Sequence, residues 1–150
     1  MSEYLTSCKF YFEADGITDK FIKEISGLGV ENTPAQEIHG SGKGAMIKRQ
    51  ATPTVVKFTN ITLKLIATVD TDLYDWYKKC NEDMGVSRQW SQNRKTGQVV
   101  AYNQKNEVAA RWNIENCYPV KYTGPTLTAS GGDMANETIE LVHEGVARVK

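Results

Sequence analysis

An excess of charge of either sign is missing from this sequence. Lysine and arginine total 18, aspartate and glutamate total 18, and the formal net charge is zero. Proteins dedicated to nucleic acid usually carry a basic excess, because neutralised phosphates supply much of their affinity. That class is disfavoured from the outset. A neutral chain also lacks the self-repulsion that keeps copies apart, so self-association is easily accommodated. Cysteine is scarce as well. Cys8, Cys80 and Cys117 are odd in number and widely spaced, with no C-x-x-C pair and no cluster with histidine. Neither a zinc site nor a disulfide framework fits that pattern, and three reduced, mostly buried thiols are expected. Long apolar runs are absent too: none approaches the ~20 residues of a membrane helix, so no stable membrane association is expected. Residues 1–8 show no basic stretch leading into an apolar core, which predicts cytoplasmic synthesis without a secretory signal. The sequons Asn60-Ile61-Thr62 and Asn136-Glu137-Thr138 then read as chance.

Catalytic patterns are equally short. Only two histidines occur, His39 and His143. His143-Glu144 lacks the second histidine of a helical H-E-x-x-H zinc site, and no nucleophile-elbow sequence is present. The stretch Gly40-Ser41-Gly42-Lys43-Gly44 superficially suggests a phosphate loop. That loop needs a glycine five positions before Gly42 and a hydroxyl residue after the lysine, where this chain has Glu37 and Gly44. The sequence therefore predicts no enzyme and no cofactor, with each histidine at a surface or an interface.

What is present is strand periodicity in a chain of 150 residues, enough for one domain over 1–150 that buries roughly 70% of its unfolded surface. Cys8, Phe10 and Phe12 alternate with Lys9, Tyr11 and Glu13, and Asp15-Gly16 signals a turn. Residues 55–67 give the clearest strand, with Ile61, Leu63 and Leu65 on one face and Asn60, Thr62 and Lys64 on the other. Residues 31–38 are weakly strand-like, and the glycine-rich stretch after them reads as a flexible loop running to Pro53. A loop of that length usually has a job. One helix is expected: Asp70 or Thr71 caps it, Leu73, Trp76, Tyr77, Cys80 and Met84 form one apolar stripe, and Gly85 supplies the C-cap. Strands return around 99–102, at 108–114 and from 134 to 143. Trp76 and Trp112 fall on core positions, whereas Trp90 either packs on its own domain or serves a contact surface. The fold class is mainly β: an antiparallel β-barrel or sandwich with one flanking helix and extended segments beyond it.

Several segments, taken in order, carry a resemblance. They are Phe10-Tyr11-Phe12; Ile25-Ser26-Gly27-Leu28-Gly29-Val30-Glu31; Phe58-Thr59-Asn60-Ile61-Thr62-Leu63-Lys64; and an acidic helix with Leu73, Tyr74 and Trp76. Then follow Ala110-Arg111-Trp112-Asn113-Ile114-Glu115-Asn116-Cys117-Tyr118-Pro119-Val120-Lys121 and Asn136-Glu137-Thr138-Ile139-Glu140-Leu141-Val142-His143-Glu144-Gly145. This series resembles the tail tube protein family of contractile phage tails and phage-tail-like contractile injection systems. Residues 42–53, with Lys43, Lys48 and Arg49, and Leu65-Ile66-Ala67-Thr68 depart from the family's usual pattern.

The resemblance implies a structural subunit that forms stacked hexameric rings around a central channel. Its expected partners are itself, a contractile sheath protein, baseplate and tube-terminator proteins, and a lumen cargo of DNA or protein effector. It implies a subunit made in the cytoplasm and assembled into a phage tail or injection particle. Two readings stand beside it: the ring-forming tube protein of type VI secretion, and a monomeric ligand-binding β-sandwich. Lys43, Met46, Ile47, Lys48 and Arg49 are the expected subunit contacts, since the segment is long, glycine-rich and carries Met46 and Ile47. Asn60, Thr62 and Lys64 are candidates for the lumen surface, or simply for the solvent-facing side of their strand.

Overall fold

In the computed structural model the described residues are 4–18, 22–40, 47–81 and 90–150. The chain runs β1 (Phe10–Ala14), β2 (Ile22–Ser26), β3 (Val30–Asn32), β4 (Ala35–Gly40), β5 (Ile47–Thr52), β6 (Val56–Phe58) and β7 (Ile61–Ile66). After α1 (Asp72–Asn81) and a 3-10 turn at Trp90–Gln92 come β8 (Lys95–Tyr102), β9 (Val108–Thr123), β10 (Asn136–Val142) and β11 (Gly145–Arg148). Every strand pairing is antiparallel. The fold is mainly β with one flanking helix, as the periodicity predicts.

The body is a sheet in the order β1-β8-β9-β10-β7-β2, with β11 also paired to β9. Its axis is β9, 16 residues long. The first part of β9 carries β8 and β11, and the last part carries β10. Between them Asn116 adopts φ 47°, a left-handed conformation that asparagine tolerates better than most residues. This corner folds the sheet over itself. Phe12 and Val99 from one part meet Ile61, Leu63, Ile139 and Leu141 from the other in a single core, with Ile114 and Cys117 at the bend. The sheet does not close into a barrel, because β1 and β2 end the path without pairing to each other.

The helix forms where its signals lie. The Asp70 Oδ1 carboxylate accepts the Asp72 N–H at 3.0 Å, and Asp72 and Asp75 occupy the first turn while Lys78 and Lys79 occupy the last. Leu73, Trp76 and Cys80 are buried, and the Trp76 indole N–H donates to the Asn93 carbonyl at 2.8 Å, so the buried ring keeps its polar tip satisfied. Met84 and the expected Gly85 cap lie outside the described residues.

Four readings of the sequence change. The stretch expected as a loop to Pro53 contains β5, fully paired with β4 from Ala35↔Thr52 to Gly40↔Ile47. The expected strand over 55–67 is two strands, β6 and β7, which pair in different sheets and part at Thr59-Asn60. The strand expected at 108–114 runs on to Thr123 as β9, with Pro119 fully buried inside it, opposite Leu141, at a register shift that spares the ladder its missing N–H. Beyond His143 an eleventh strand follows.

The thiols also divide. Cys80 and Cys117 are buried, but Cys8 precedes β1 and is exposed. Burial pushes the Cys117 thiol up to about 12 and raises Cys80 in the same way. A thiolate reagent at pH 8 is therefore expected to label Cys8 alone in the native protein and all three cysteines in denaturant. Rapid native labelling of Cys117, read by peptide mass spectrometry, would contradict this packing. Because the unfolded thiols ionise from their ordinary value of 9.0 while the folded ones stay neutral, stability is expected to fall as pH rises above that value.

Candidate assembly surface

Residues 22–40 and 47–66 form one long antiparallel ribbon. In the body Ser26 pairs with Thr62, and beyond it Val30 pairs with Phe58 in the same register. The inner part belongs to the body sheet, whereas the outer part leaves it as an arm. A further step, across Thr33-Pro34 on one side and Pro53-Thr54-Val55 on the other, leads to β4 and β5. Here the Thr54 hydroxyl donates to the Thr33 carbonyl and the Asn32 amide to the Thr54 carbonyl, at 3.2 Å for the latter. From Val30 to Gly40 the arm would reach roughly 33 Å if straight.

Apart from Phe58 at its root, which meets the His143 ring, the described arm lies open to solvent. Every residue from 30 to 38 and from 49 to 58 is exposed, among them Val30 at 63%, Ile38 at 57% and Val55 at 67%. A lone two-stranded ribbon is marginal in water, and both its edges offer unpaired backbone groups to another chain. Fully burying one such aliphatic side chain contributes about 1.5–3 kcal/mol. These features belong to a surface that is covered in an assembly.

The root of the arm, by contrast, is clasped. Gly27, at φ 89°, lies so close to β7 that an added Cβ would stand 2.1 Å from the Asn60 carbonyl oxygen. Across the ribbon the Thr59 hydroxyl donates to the Gly27 carbonyl at 2.9 Å. From the turn after β10, His143 Nε2 lies 2.9 Å from the Thr59 carbonyl oxygen, which can only accept, so this nitrogen carries the hydrogen. The ring also stands 5.6 Å from that of Phe58, and its Nδ1 is buried without a partner. Asn60 adds a side-chain amide donated to Glu140 at 2.8 Å. Glu144, next to His143, ties this turn to Arg94 just ahead of β8 and to the corner of β9 through the Asn116 amide at 2.7 Å. Three of the resemblance-bearing segments, around Gly27, Thr59 and His143, thus meet at one place. Nothing local in the sequence marks His143 for this, because its partner is 84 residues away.

The expected site residues fall as follows. Ile47, Lys48 and Arg49 lie on β5, opposite Gly40, His39 and Ile38; Lys43 and Met46 lie outside the described residues. Thr62 and Lys64 share the outer face of β7, opposite the face that buries Ile61, Leu63 and Leu65. By register, Ser26 and Glu24 of β2 and Glu140 and Thr138 of β10 flank them, and Lys121 of β9 pairs with Glu140. That face is polar and mixed in sign. Asn60 stands just before the strand, and its side-chain amide reaches Glu140 of this same face at 2.8 Å. Trp90 stacks against Tyr118 at 5.7 Å, under Arg94 at 5.2 Å, and so packs on its own domain.

Between the unpaired edges of β1 and β2 lies an open groove of about 590 Å³, with Phe10, Ile25, Leu28, Val99 and Trp112 among its walls. No metal-ligating cluster of three or more acidic, histidine or cysteine residues occurs among the described residues. No described helix is long and apolar enough to cross a membrane.

Comparison with known proteins adds to this geometry. A sequence model of the family described as T4-like virus tail tube protein gp19 matches residues 6–147. No curated protein matches the sequence. Among solved structures, a chain of the PVC sheath-tube complex in its extended state, from an extracellular contractile injection system, superposes with TM-score 0.76 at 22% identity. The match covers 97% of this chain and 90% of that one. A chain of the tube-terminating cap of the anti-feeding prophage gives TM-score 0.79 at 19% identity, covering 99% and 92%. Hcp1 from Flavobacterium johnsoniae gives TM-score 0.59 at 20% identity, covering 97% and 95%. At these identities the likeness is one of fold.

Proposed function

We propose, on the premise that this chain belongs to the family of the T4-like virus tail tube protein gp19, that it is the inner tube subunit of a contractile tail or injection particle. In this reading residues 1–150 act as one tube domain. Six copies close into a ring around a channel, rings stack into a tube, and a sheath drives the tube through a target envelope. Baseplate and terminator proteins cap the ends, and the channel passes DNA or a protein effector. The role is structural, without catalysis.

The observation that carries this reading is the clasped, otherwise naked arm beside a sheet left open at both edges. A ring satisfies those edges by pairing neighbouring copies, and contacts that do not close on themselves extend the assembly into a filament. Lys43, Met46, Ile47, Lys48 and Arg49 are then subunit contacts on or near the arm. Asn60, Thr62 and Lys64 are the lumen residues, and Asn60 also supports the arm's root through its bond to Glu140. The test is negative-stain electron microscopy of the purified protein across a concentration series, with solution mass measured alongside. Rings with sixfold symmetry and a mass six times that of the chain are expected. A monodisperse monomer at every concentration, together with saturable binding of a small ligand in the β1–β2 groove, would instead establish the isolated β-sandwich reading.

A further inference from the structure

Thr62 and Lys64 belong to a face whose charges are set in pairs by register. On β2, β7, β10 and the last part of β9, each acid of the outward face stands directly across from a lysine: Glu24 from Lys64, and Glu140 from Lys121. The positions between them are small and hydroxylated, with Ser26 opposite Thr62 and Thr138 opposite Lys64. Ile25, Leu63, Ile139 and Leu141 of the same strands turn the other way, toward the core. The two remaining charged residues of these strand segments stand apart from the pattern. Glu137 lies opposite Leu65, on the core side of β10, and accepts the Tyr122 hydroxyl at 2.6 Å beside Tyr74 of α1. Lys23 is the extra residue of the β2 bulge; it opposes nothing on β7 and stands at the end of the sheet, by the β1–β2 groove.

Residues directly opposite one another in an antiparallel pair have Cβ atoms roughly 5 Å apart. That is less than the Debye length of ~8 Å at physiological ionic strength. The two signs therefore cancel before salt screens either of them, and little field extends beyond the face. Such a surface gives a nucleic acid no hold. A face without net charge releases few of the counterions condensed on the phosphates, and none of these positions is aromatic to stack a base. It also lacks the uniform negative charge that would keep a polyanion from touching the wall. A polypeptide of balanced charge suits it better, since it brings both signs to a surface of both signs and polar groups to the hydroxyls.

We propose that this charge-paired face lines the channel for a polypeptide cargo of near-balanced charge, and not for DNA. The inference rests on the tube reading above, and on the place in the lumen which that reading gives to Thr62 and Lys64, and it narrows the cargo to one class.

Two measurements on the full-length protein test this in turn. In tubes of the Cys8→Ser/Thr62→Cys variant, a small maleimide dye is expected to label position 62, whereas a maleimide carried on a particle wider than the channel is not. Labelling by both would put the face outside, overturning this inference while the tubes themselves uphold the tube reading. Tubes are then assembled with a dye-labelled flexible polypeptide, in acidic, balanced and basic versions, or with single-stranded DNA of similar length, and the trapped dye is read after sedimentation. Unaltered tubes are expected to trap the balanced version best and DNA least. Glu24→Lys is expected to raise the trapping of DNA and of the acidic version several-fold at low salt, a gain that high salt removes. Lys64→Glu is expected to do the same for the basic version. Unaltered tubes that trap DNA as well as the balanced polypeptide would overturn the proposal, as would an order that neither substitution changes. Unaltered protein that forms no rings at all would overturn the tube reading and this inference together.

Discussion

Gly27→Ala is expected to destabilise the protein by several kcal/mol and to stop assembly, although the residue is neither large nor catalytic. Two costs combine at this position. A φ of 89° strains any residue with a side chain, and such conformations cost about 1–3 kcal/mol. The new methyl would also stand 2.1 Å from the Asn60 carbonyl oxygen and 3.1 Å from the Ile61 Cα. Those are backbone atoms at the start of β7, which cannot swing away as a flexible side chain would. Relieving the overlap means moving Asn60 away from Glu140 and Ile61 out of the core, at a further cost of about 1–3 kcal/mol. Set against a total stability of about 5–15 kcal/mol for a domain of this kind, the loss is large. Gly29→Ala is the matched control. Its Cβ would meet only the Thr59 hydroxyl, at 3.3 Å, without a left-handed backbone, so a loss below about 1 kcal/mol is expected. Urea unfolding of both variants decides the matter, and equal midpoints would mean that the root of the arm is not the rigid clasp described above.

Deleting residues 43–50 is expected to have the opposite profile, with assembly abolished and the fold untouched. The described arm residues contribute nothing to the core cluster, whose strand members come from β1, β2, β7, β8, β9, β10 and β11. Removing the outer part of the ribbon therefore leaves the buried surface unchanged, and stability is expected to stay within about 0.5 kcal/mol. The thermal midpoint and circular dichroism of the deletion variant report the fold, and electron microscopy reports the tubes. Tubes of undiminished length would show that the arm is dispensable. A large drop in thermal midpoint would show that it packs on its own body after all. Taken together, the two variants separate the hinge from the arm: one breaks the fold where the arm is launched, and the other removes the arm from an intact fold.

Particular residues show why part of this architecture is legible in the sequence and part is not. Ile61, Leu63 and Leu65 alternate with polar neighbours because one face of β7 is buried and the other is not, and that asymmetry writes itself into the sequence. The helix announces itself through its Asp70 cap and its Leu73–Trp76–Cys80 stripe for the same reason. The arm has no such asymmetry. Both faces meet solvent from Ala35 to Ile38 of β4 and from Arg49 to Thr52 of β5, so no alternation is selected, and Gly40, Gly42 and Gly44 read as a loop although β5 begins at Ile47. Likewise the segment from Val56 to Ile66 reads as one strand, because the register runs on across Thr59-Asn60; only the partners change there.

Some decisions therefore belong to the sequence alone: a mainly β body with one capped helix, a chain without charge bias, catalytic motif or metal cluster, and a set of segments that resemble the tail tube family. These follow from local propensity and from the period of burial, which each residue carries by itself. Others belong to the tertiary structure: the corner at Asn116 that lets β9 serve both parts of the sheet, the contact of His143 with Thr59, and the closeness of Gly27 to Asn60. Each of these joins residues far apart in the chain, and such pairings are fixed by packing the whole core at once, not by any stretch of sequence read alone.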